Sequence, residues 1–372
     1  MVYRYITDEA EKSLVQGKVL GIFGPRRSGK TFLLDVLKKR IEDKGQKVKL
    51  AHGENLDTSE ALSSQRTGVL ERFIGDNKYL FIDEAQKIPD IGINLKLIID
   101  TLPRVTVLVT GSSSFDLKNK IGEPLVGRNK YLYLYPLSLM EVENDSLDDQ
   151  LIYGFYPQVY EAKTVTEKKE QLESIRDGYL LKDILELDNQ KNSLFVFSLL
   201  RLIAFQIGQD ISYSELASNL EVSKKTVLRY LELLEKSFVI FSLNGFSKNL
   251  RKEYTKSPRY YFWDNGIRNS VISNYNNLTS RDDVGRLWEN FCISERIKRG
   301  KYKKDFANYF FWRTYDQKEI DLVEEKRGKL FAFECKYSKG SKLVRMPKDF
   351  KEAYPNSKFV VINKENYLDH LI

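Results

Sequence analysis

Two cysteines and two histidines in 372 residues leave little room for thiol or imidazole chemistry. Cys292 and Cys335 both sit among apolar neighbours, so neither a disulfide framework nor a zinc cluster is indicated. His52 and His370 are too few for a histidine-based catalytic set. Metal chemistry, where present, has to run on carboxylates and hard cations such as Mg²⁺. Long apolar runs are missing as well. The longest, Leu194 to Ile207, is broken by Arg201 and Gln206 and falls short of the roughly 20 residues a membrane span needs. The opening Met-Val-Tyr-Arg-Tyr-Ile-Thr-Asp-Glu has no signal-peptide pattern, and no internal repeat or low-complexity segment is visible. A cytoplasmic protein with no membrane partner is expected. The chain does have 42% hydrophobic and 30% charged residues, ample for two to four compact units, and a net charge of +8 that suits a polyanionic partner.

Residues Gly24-Pro25-Arg26-Arg27-Ser28-Gly29-Lys30-Thr31 lie between a strand-like apolar run, Val19 to Phe23, and a helix-like run, Phe32 to Arg40. This is the spelling and the context of a phosphate-binding loop. Glycines let successive backbone N–H groups curl around an anion at a helix N-terminus. Lys30 neutralises terminal phosphates and Thr31 holds Mg²⁺. The expected nucleotide-binding set is Gly24, Pro25, Arg26, Arg27, Ser28, Gly29, Lys30, Thr31 and Phe32. Arg26 and Arg27 are open between phosphate, DNA and a neighbouring carboxylate.

A second apolar strand, Tyr79 to Ile82, ends in Asp83-Glu84. Open α/β sheets bind ligands at the carboxyl ends of their strands. Asp83 is placed to organise Mg²⁺, and Glu84 to polarise the water that attacks the γ-phosphorus. An Asp-Glu pair of this kind favours hydrolysis over transfer to a small-molecule acceptor. A third strand, Val105 to Val109, runs into Thr110-Gly111-Ser112-Ser113, where Ser112 is chosen to sense the γ-phosphate; the alternative is that these hydroxyls cap the next helix. Arg128, before the strand-like Tyr131 to Tyr135, is a candidate for transition-state charge, in cis or across a subunit contact, or else an ordinary solvated arginine.

From Asp148 to Gly208 helical periodicities dominate, including Glu167 to Leu187 and Ser193 to Gln209, as in a helical lid or connector. Two short helices then follow, Ile211 to Leu220 and Glu221 to Leu234, with Ser223 capping the second and Lys224, Lys225, Thr226, Arg229 and Tyr230 near the end that would enter a major groove. Strand-like Phe238 to Phe241 and Tyr260 to Trp263 flank a basic loop with Lys248, Arg251, Lys252 and Lys256, completing a winged-helix reading. Between Ser223 and Arg268 there are ten Lys and Arg against four Asp and Glu, which favours DNA over a purely protein-binding module.

Beyond residue 280 an amphipathic helix, Gly285 to Gly300, precedes strands Tyr309 to Arg313, Glu319 to Val323 and Leu330 to Lys336. Alternation puts Phe331, Phe333 and Cys335 on one face of the last strand and Ala332, Glu334 and Lys336 on the other. A tight turn at Lys326-Arg327-Gly328 brings Asp321 within reach of Glu334. Asp321 and Glu334 can hold a divalent metal and Lys336 can stabilise charge on a scissile phosphate, with Glu289 a further metal contact. The plain alternative is a cross-strand salt bridge in an inert domain.

Taken together these residues resemble a family of prokaryotic and archaeal AAA-type ATPases with a C-terminal PD-(D/E)XK nuclease-like domain. The resemblance rests on Gly24 to Thr31, Asp83-Glu84-Ala85-Gln86, Thr110-Gly111-Ser112, Gly127-Arg128 with Pro136-Leu137-Ser138, and Asp321 with Glu334-Cys335-Lys336. Ile320 stands where the nuclease pattern's proline would be. The resemblance implies ATP hydrolysis. The expected architecture is a P-loop ATPase domain of α/β class with a parallel sheet (1–147), a helical lid (148–209), a winged helix-turn-helix domain (210–275) and an α/β restriction-endonuclease-like domain (276–372). The expected cofactors are ATP and Mg²⁺, and the expected partners are DNA and a second copy of the chain. The competing expectation is a nucleotide-gated DNA-binding scaffold whose C-terminal fold does not cleave.

Overall fold

The computed structural model describes residues 2–112, 122, 125–143, 146–180, 193–247, 257–314, 316–338 and 344–372. Lys248, Arg251, Lys252, Lys256 and Ser113 lie outside the described residues, as does the chain beyond Leu180 in the helix expected to reach Leu187. Two compact units are present, Met1–Tyr135 with Lys236–Phe238, and Pro136–Glu235 with Val239–Ile372.

The first unit is an α/β fold around five parallel strands in the order β2-β3-β4-β1-β5. The strands are β1 (Val19–Phe23), β2 (Val48–His52), β3 (Tyr79–Asp83), β4 (Thr106–Gly111) and β5 (Asn129–Tyr133). The three central strands are continuous apolar runs because helices cover both faces: β1 and β4 are buried at every position and β3 at all but Tyr79. The helices are α1 (Thr7–Lys12), α2 (Lys30–Glu42), α3 (Leu56–Leu62), α4 (Thr67–Ile74) and α5 (Ile91–Thr101). Helix α2 begins at Lys30, two residues before the expected start, because Gly29 at φ 93° turns the chain into its first turn.

In the second unit the helices are α6 (Leu147–Tyr153), α7 (Pro157–Tyr160), α8 (Val165–Ile175), α9 (Ser193–Phe205), α10 (Tyr213–Asn219), α11 (Lys224–Lys236), α12 (Asn265–Val271), α13 (Val284–Tyr302), α14 (Lys348–Ala353) and α15 (Tyr367–Leu371). Thr164 and Glu167 close a capping box that starts α8. A sheet of six strands runs β11-β10-β9-β8-β6-β7, with β6 (Ile240–Gly245), β7 (Arg259–Phe262), β8 (Asn308–Arg313), β9 (Glu319–Lys326), β10 (Lys329–Cys335) and β11 (Lys358–Ile362).

The two strands expected to form a free wing are therefore the edge of this larger sheet. β6 pairs antiparallel with β7 and, through Asn244 and Gly245, parallel with β8. β6 begins at Ile240 and not at Phe238, because Phe238 sits at φ 57°, outside extended backbone. The β9–β10 hairpin turns at Arg327 and Gly328, both left-handed at φ 51° and 72°, the requirement of a tight two-residue connection. Among the described residues no helix is long and apolar enough to cross a membrane.

Candidate functional site

The carboxyl ends of β1, β3 and β4 gather the first cluster. After β1 the loop residues Gly24 to Gly29 lead into α2. A Cβ at Gly24 would lie 2.0 Å from the Leu134 carbonyl oxygen, so the loop is packed too closely there for any side chain. The Lys30 ammonium is buried and donates to the carbonyls of Gly24 and Pro25, both at 2.9 Å, spanning the loop from within. Arg27 holds φ 59° and Gly29 φ 93°, and these left-handed residues help to curl the backbone.

Below the loop, the Thr31 hydroxyl donates to Asp83 Oδ2 at 2.7 Å, and Thr110 donates to the other Asp83 oxygen. The two groups expected to hold Mg²⁺ are thus side by side at the start of α2 and the end of β3. His52, paired in register with Asp83, brings Nδ1 to 4.0 Å from the same carboxylate. Glu84 stands in left-handed backbone at φ 52°, and its N–H donates to the Thr110 hydroxyl at 3.2 Å. Gly53 allows this turn: a Cβ there would fall 2.3 Å from the Glu84 carbonyl oxygen.

Gln86 ties the edge together. Its amide donates both to the Glu84 carboxylate and, at 3.1 Å, to the hydroxyl of buried Ser112. Its place in the Asp83-Glu84-Ala85-Gln86 motif does not by itself signal this bridge. Arg4 lies outside all of the sequence motifs. It is buried at 2% exposure, and its guanidinium donates to the Ser28 carbonyl inside the loop and to the Tyr135 carbonyl at 2.8 Å. Nothing local in the sequence signals this, since its acceptors lie 24 and 131 residues away.

Arg128 lies at the end of the sheet away from the loop. It immediately precedes Asn129, which is paired with Val19 at the amino end of β1, whereas the loop leaves from the carboxyl end beyond Phe23. Its guanidinium pairs with Asp100 in the last turn of α5. Within this chain Arg128 is therefore not brought to the loop.

The second cluster lies on β9, β10 and α13. Continuing the printed register by one step from the Phe333–Leu322 pair sets Glu334 opposite Asp321. The Cys335 N–H donates to Asp321 Oδ2 at 2.7 Å, Lys336 Nζ lies 2.7 Å from Glu334, and the Tyr261 hydroxyl donates to Glu289 at 2.7 Å. Burial, then repulsion from Glu289 and Glu334, raises the Asp321 pKa well above the carboxylate range. Burial is also the main reason that Glu289 is pushed up to about 7, with Glu319 and Glu334 adding repulsion. Burial opposes the Lys336 charge, yet the Glu334 and Asp321 carboxylates raise its pKa above the ordinary lysine value.

These groups influence one another, but each carboxylate already engages a donor. Among the described residues no group of three or more His, Cys, Asp and Glu side chains is arranged to hold a metal ion. Glu289, Asp321 and Glu334, the three carboxylates expected to share a metal, nonetheless lie close enough to repel one another. Cys335 and Cys292 are buried neighbours in the core, as the alternation on β10 requires.

On the third candidate surface, α11 exposes Lys224, Lys225 and Arg229, while Thr226 is half-buried. The Thr226 N–H donates to the Ser223 hydroxyl at 3.1 Å, capping the helix. Val227, Leu231 and Leu234 are buried behind, and so, against expectation, is Tyr230, whose ring packs edge-on against Phe195.

Residues 16–143 match the model of an AAA domain. The first unit is accordingly an AAA-type α/β fold. Residues 144–278 and 284–370 match two domains of unknown function, DUF8612 and DUF4143. An uncharacterized protein of Mycobacterium tuberculosis is 27% identical over 333 residues, covering 87% of this chain and 71% of the relative. Another, of Methanocaldococcus jannaschii, is 24% identical over 393 residues, covering 98% of this chain and 86% of the relative. Among solved structures, AMPPCP-bound DnaA from Aquifex aeolicus is 16% identical, covers 62% of this chain and 86% of that chain, and has a TM-score of 0.34, a likeness that carries no argument.

Proposed function

We propose that this protein is a Mg²⁺-dependent ATP hydrolase that works on DNA. The observation that carries the reading is the convergence of Lys30, Thr31, Asp83, Glu84, Gln86 and Ser112 at the carboxyl edge of one parallel sheet. The residues fit the ion: Thr31 and Asp83 offer hard oxygen donors 2.7 Å apart, directly under a loop too tightly packed for a side chain at Gly24. Bound there, Mg²⁺ supplies Lewis-acid neutralisation of the phosphate oxygens.

The chain's own residues do the rest. Loop N–H groups and Lys30 take the phosphates, Lys30 exchanging its carbonyl partners for phosphate oxygens. Glu84 accepts a proton from the attacking water, and Gln86 holds that carboxylate in a fixed relation to Ser112. DNA docks on Lys224, Lys225, Thr226 and Arg229 of α11. Phosphate release measured without an added acceptor tests the hydrolase: equal rates for the natural protein, Lys30→Ala and Glu84→Gln would remove it. Binding of a duplex that Lys225→Ala leaves untouched would remove the DNA surface.

A second reading concerns the C-terminal fold. The donors already engaged by Glu289, Asp321 and Glu334 favour a scaffold that holds nucleic acid over a site that cleaves it. Nicking of a supercoiled plasmid in Mg²⁺ or Mn²⁺, abolished by Asp321→Ala and by Lys336→Ala, would overturn the scaffold in favour of a nuclease.

A further inference from the structure

Helix α13 ends at Tyr302, and the following turn carries Lys303, Lys304, Asp305 and Phe306. Phe306 is 88% exposed, more than any other large apolar side chain among the described residues. An unburied phenyl ring forgoes the stabilisation that removal from water would bring. The turn is nevertheless firmly held. The Asp305 N–H donates to the Gly300 carbonyl at 2.8 Å, and the Asp305 carboxylate accepts from Arg299 at 3.3 Å and pairs with Lys326. Lys304 and Phe306 both adopt left-handed backbone, at φ 55° and 49°, a region that side chains of this size rarely enter and that tends to persist where function demands it. The ring is thus presented outward on an anchored loop.

Its surroundings are basic. Lys301, Lys303 and Lys304 are exposed and lie within five residues of Phe306 along the chain, and the one carboxylate of the loop, Asp305, is matched by Arg299 and Lys326. Partial burial, followed by repulsion from Arg299, holds the Lys303 pKa below its ordinary value, with Asp305 acting in the opposite direction.

We propose that this loop is a contact for single-stranded nucleic acid, with Phe306 stacked on an unpaired base and Lys301, Lys303 and Lys304 meeting the phosphates on either side. A ring flanked by cations supplies the two terms that such binding uses, sequence-tolerant stacking and backbone charge. Paired bases in a duplex offer no open face to the ring. A lone phenyl is also too small an apolar surface to seat a protein on a membrane, which requires the whole face of an amphipathic helix. The inference shares a nucleic-acid partner with the reading above and none of its residues.

The test uses the full-length chain with fluorescent 20-mers of thymidine and of uridine in an anisotropy titration. Phe306→Ala is expected to weaken binding of at least one of them by about 5- to 150-fold with little change in salt slope, while Phe306→Trp restores it. Lys303→Ala is expected to flatten the log-log salt slope by about 0.7. A duplex 20-mer serves as the control, bound through α11 and weakened by Lys225→Ala but not by Phe306→Ala. No binding to either single strand, or binding indifferent to Phe306→Ala, overturns the inference while duplex binding keeps the broader reading alive. Failure of all three nucleic acids sinks both. Binding to phosphatidylserine vesicles that is lost in Phe306→Ala, with single-strand affinity intact, overturns the inference in favour of a lipid surface.

Discussion

Gln86 bridges Glu84 and Ser112, donating to the carboxylate of one and, at 3.1 Å, to the hydroxyl of the other. The residue that would activate water and the residue that would read the terminal phosphate are therefore coupled through one amide. Gln86→Ala is expected to lower ATP turnover by about 10-fold or more while Glu84→Gln lowers it by roughly 10²- to 10⁴-fold, with ATP affinity largely kept in both. Single-turnover phosphate release alongside equilibrium nucleotide binding checks the separation of turnover from affinity.

Arg4 acts at a distance in sequence and at close range in space. Removing its guanidinium leaves the Ser28 and Tyr135 carbonyls, deep in the fold, without a charged donor. Hydrogen bonds of this kind contribute about 1.5–3 kcal/mol. Arg4→Ala is expected to lower the denaturation midpoint of the first unit and to weaken ATP binding; Arg4→Lys, lacking the planar fork, is expected to recover only part of either. An unchanged midpoint in urea would show that the loop stands without this brace.

Arg128, by contrast, is expected to matter little within one subunit. Its pairing with Asp100 is on the surface, where such pairs contribute within about 1 kcal/mol. Arg128→Ala should leave ATP turnover unchanged in dilute protein. A loss of turnover that appears only as protein concentration rises would assign the residue to a neighbouring copy.

Glu289 gives the second unit a pH dependence of stated sign. Its folded-state pKa of about 7 lies above the usual value of 4.5, so the folded state binds the proton more tightly than the unfolded state. The stabilisation is complete below about pH 4.5 and is lost as pH rises through 7. Glu289→Gln, which cannot ionise, is expected to flatten that decline. Urea midpoints of both proteins between pH 5 and 8 decide it, and parallel curves would rule out Glu289 as the source.

Much of the first unit was legible because its signals are local. The apolar run Val19–Phe23 and the Gly24–Thr31 spelling lie next to each other, and β1 falls on the residues expected. Asp83 and Ser112 were found from strands that end in polar residues, a pattern that reads directly as the edge of a parallel sheet. Arg4 and Gly53 were invisible because their reasons for being there are carbonyls that only the fold brings near. In the second unit alternation on β10 did not reveal that both faces are covered, Cys335 and Glu334 being equally buried, and the partner of β6 was not legible. Among the described residues two pairs in register join β6 to β8, across more than sixty residues of intervening chain, and no periodicity records such a pairing.

That pairing has a practical consequence for dissecting the chain. A fragment stopped near residue 278 would keep β6 and β7 but shed the four strands that continue the sheet, baring the unsatisfied N–H and C=O groups of β6 to any passing strand. A fragment begun there would lose the ribbon that shields β8. Each half, expressed by itself, carries a sticky flank, so truncation is a route to aggregates, and point substitution is the safer tool for assigning roles.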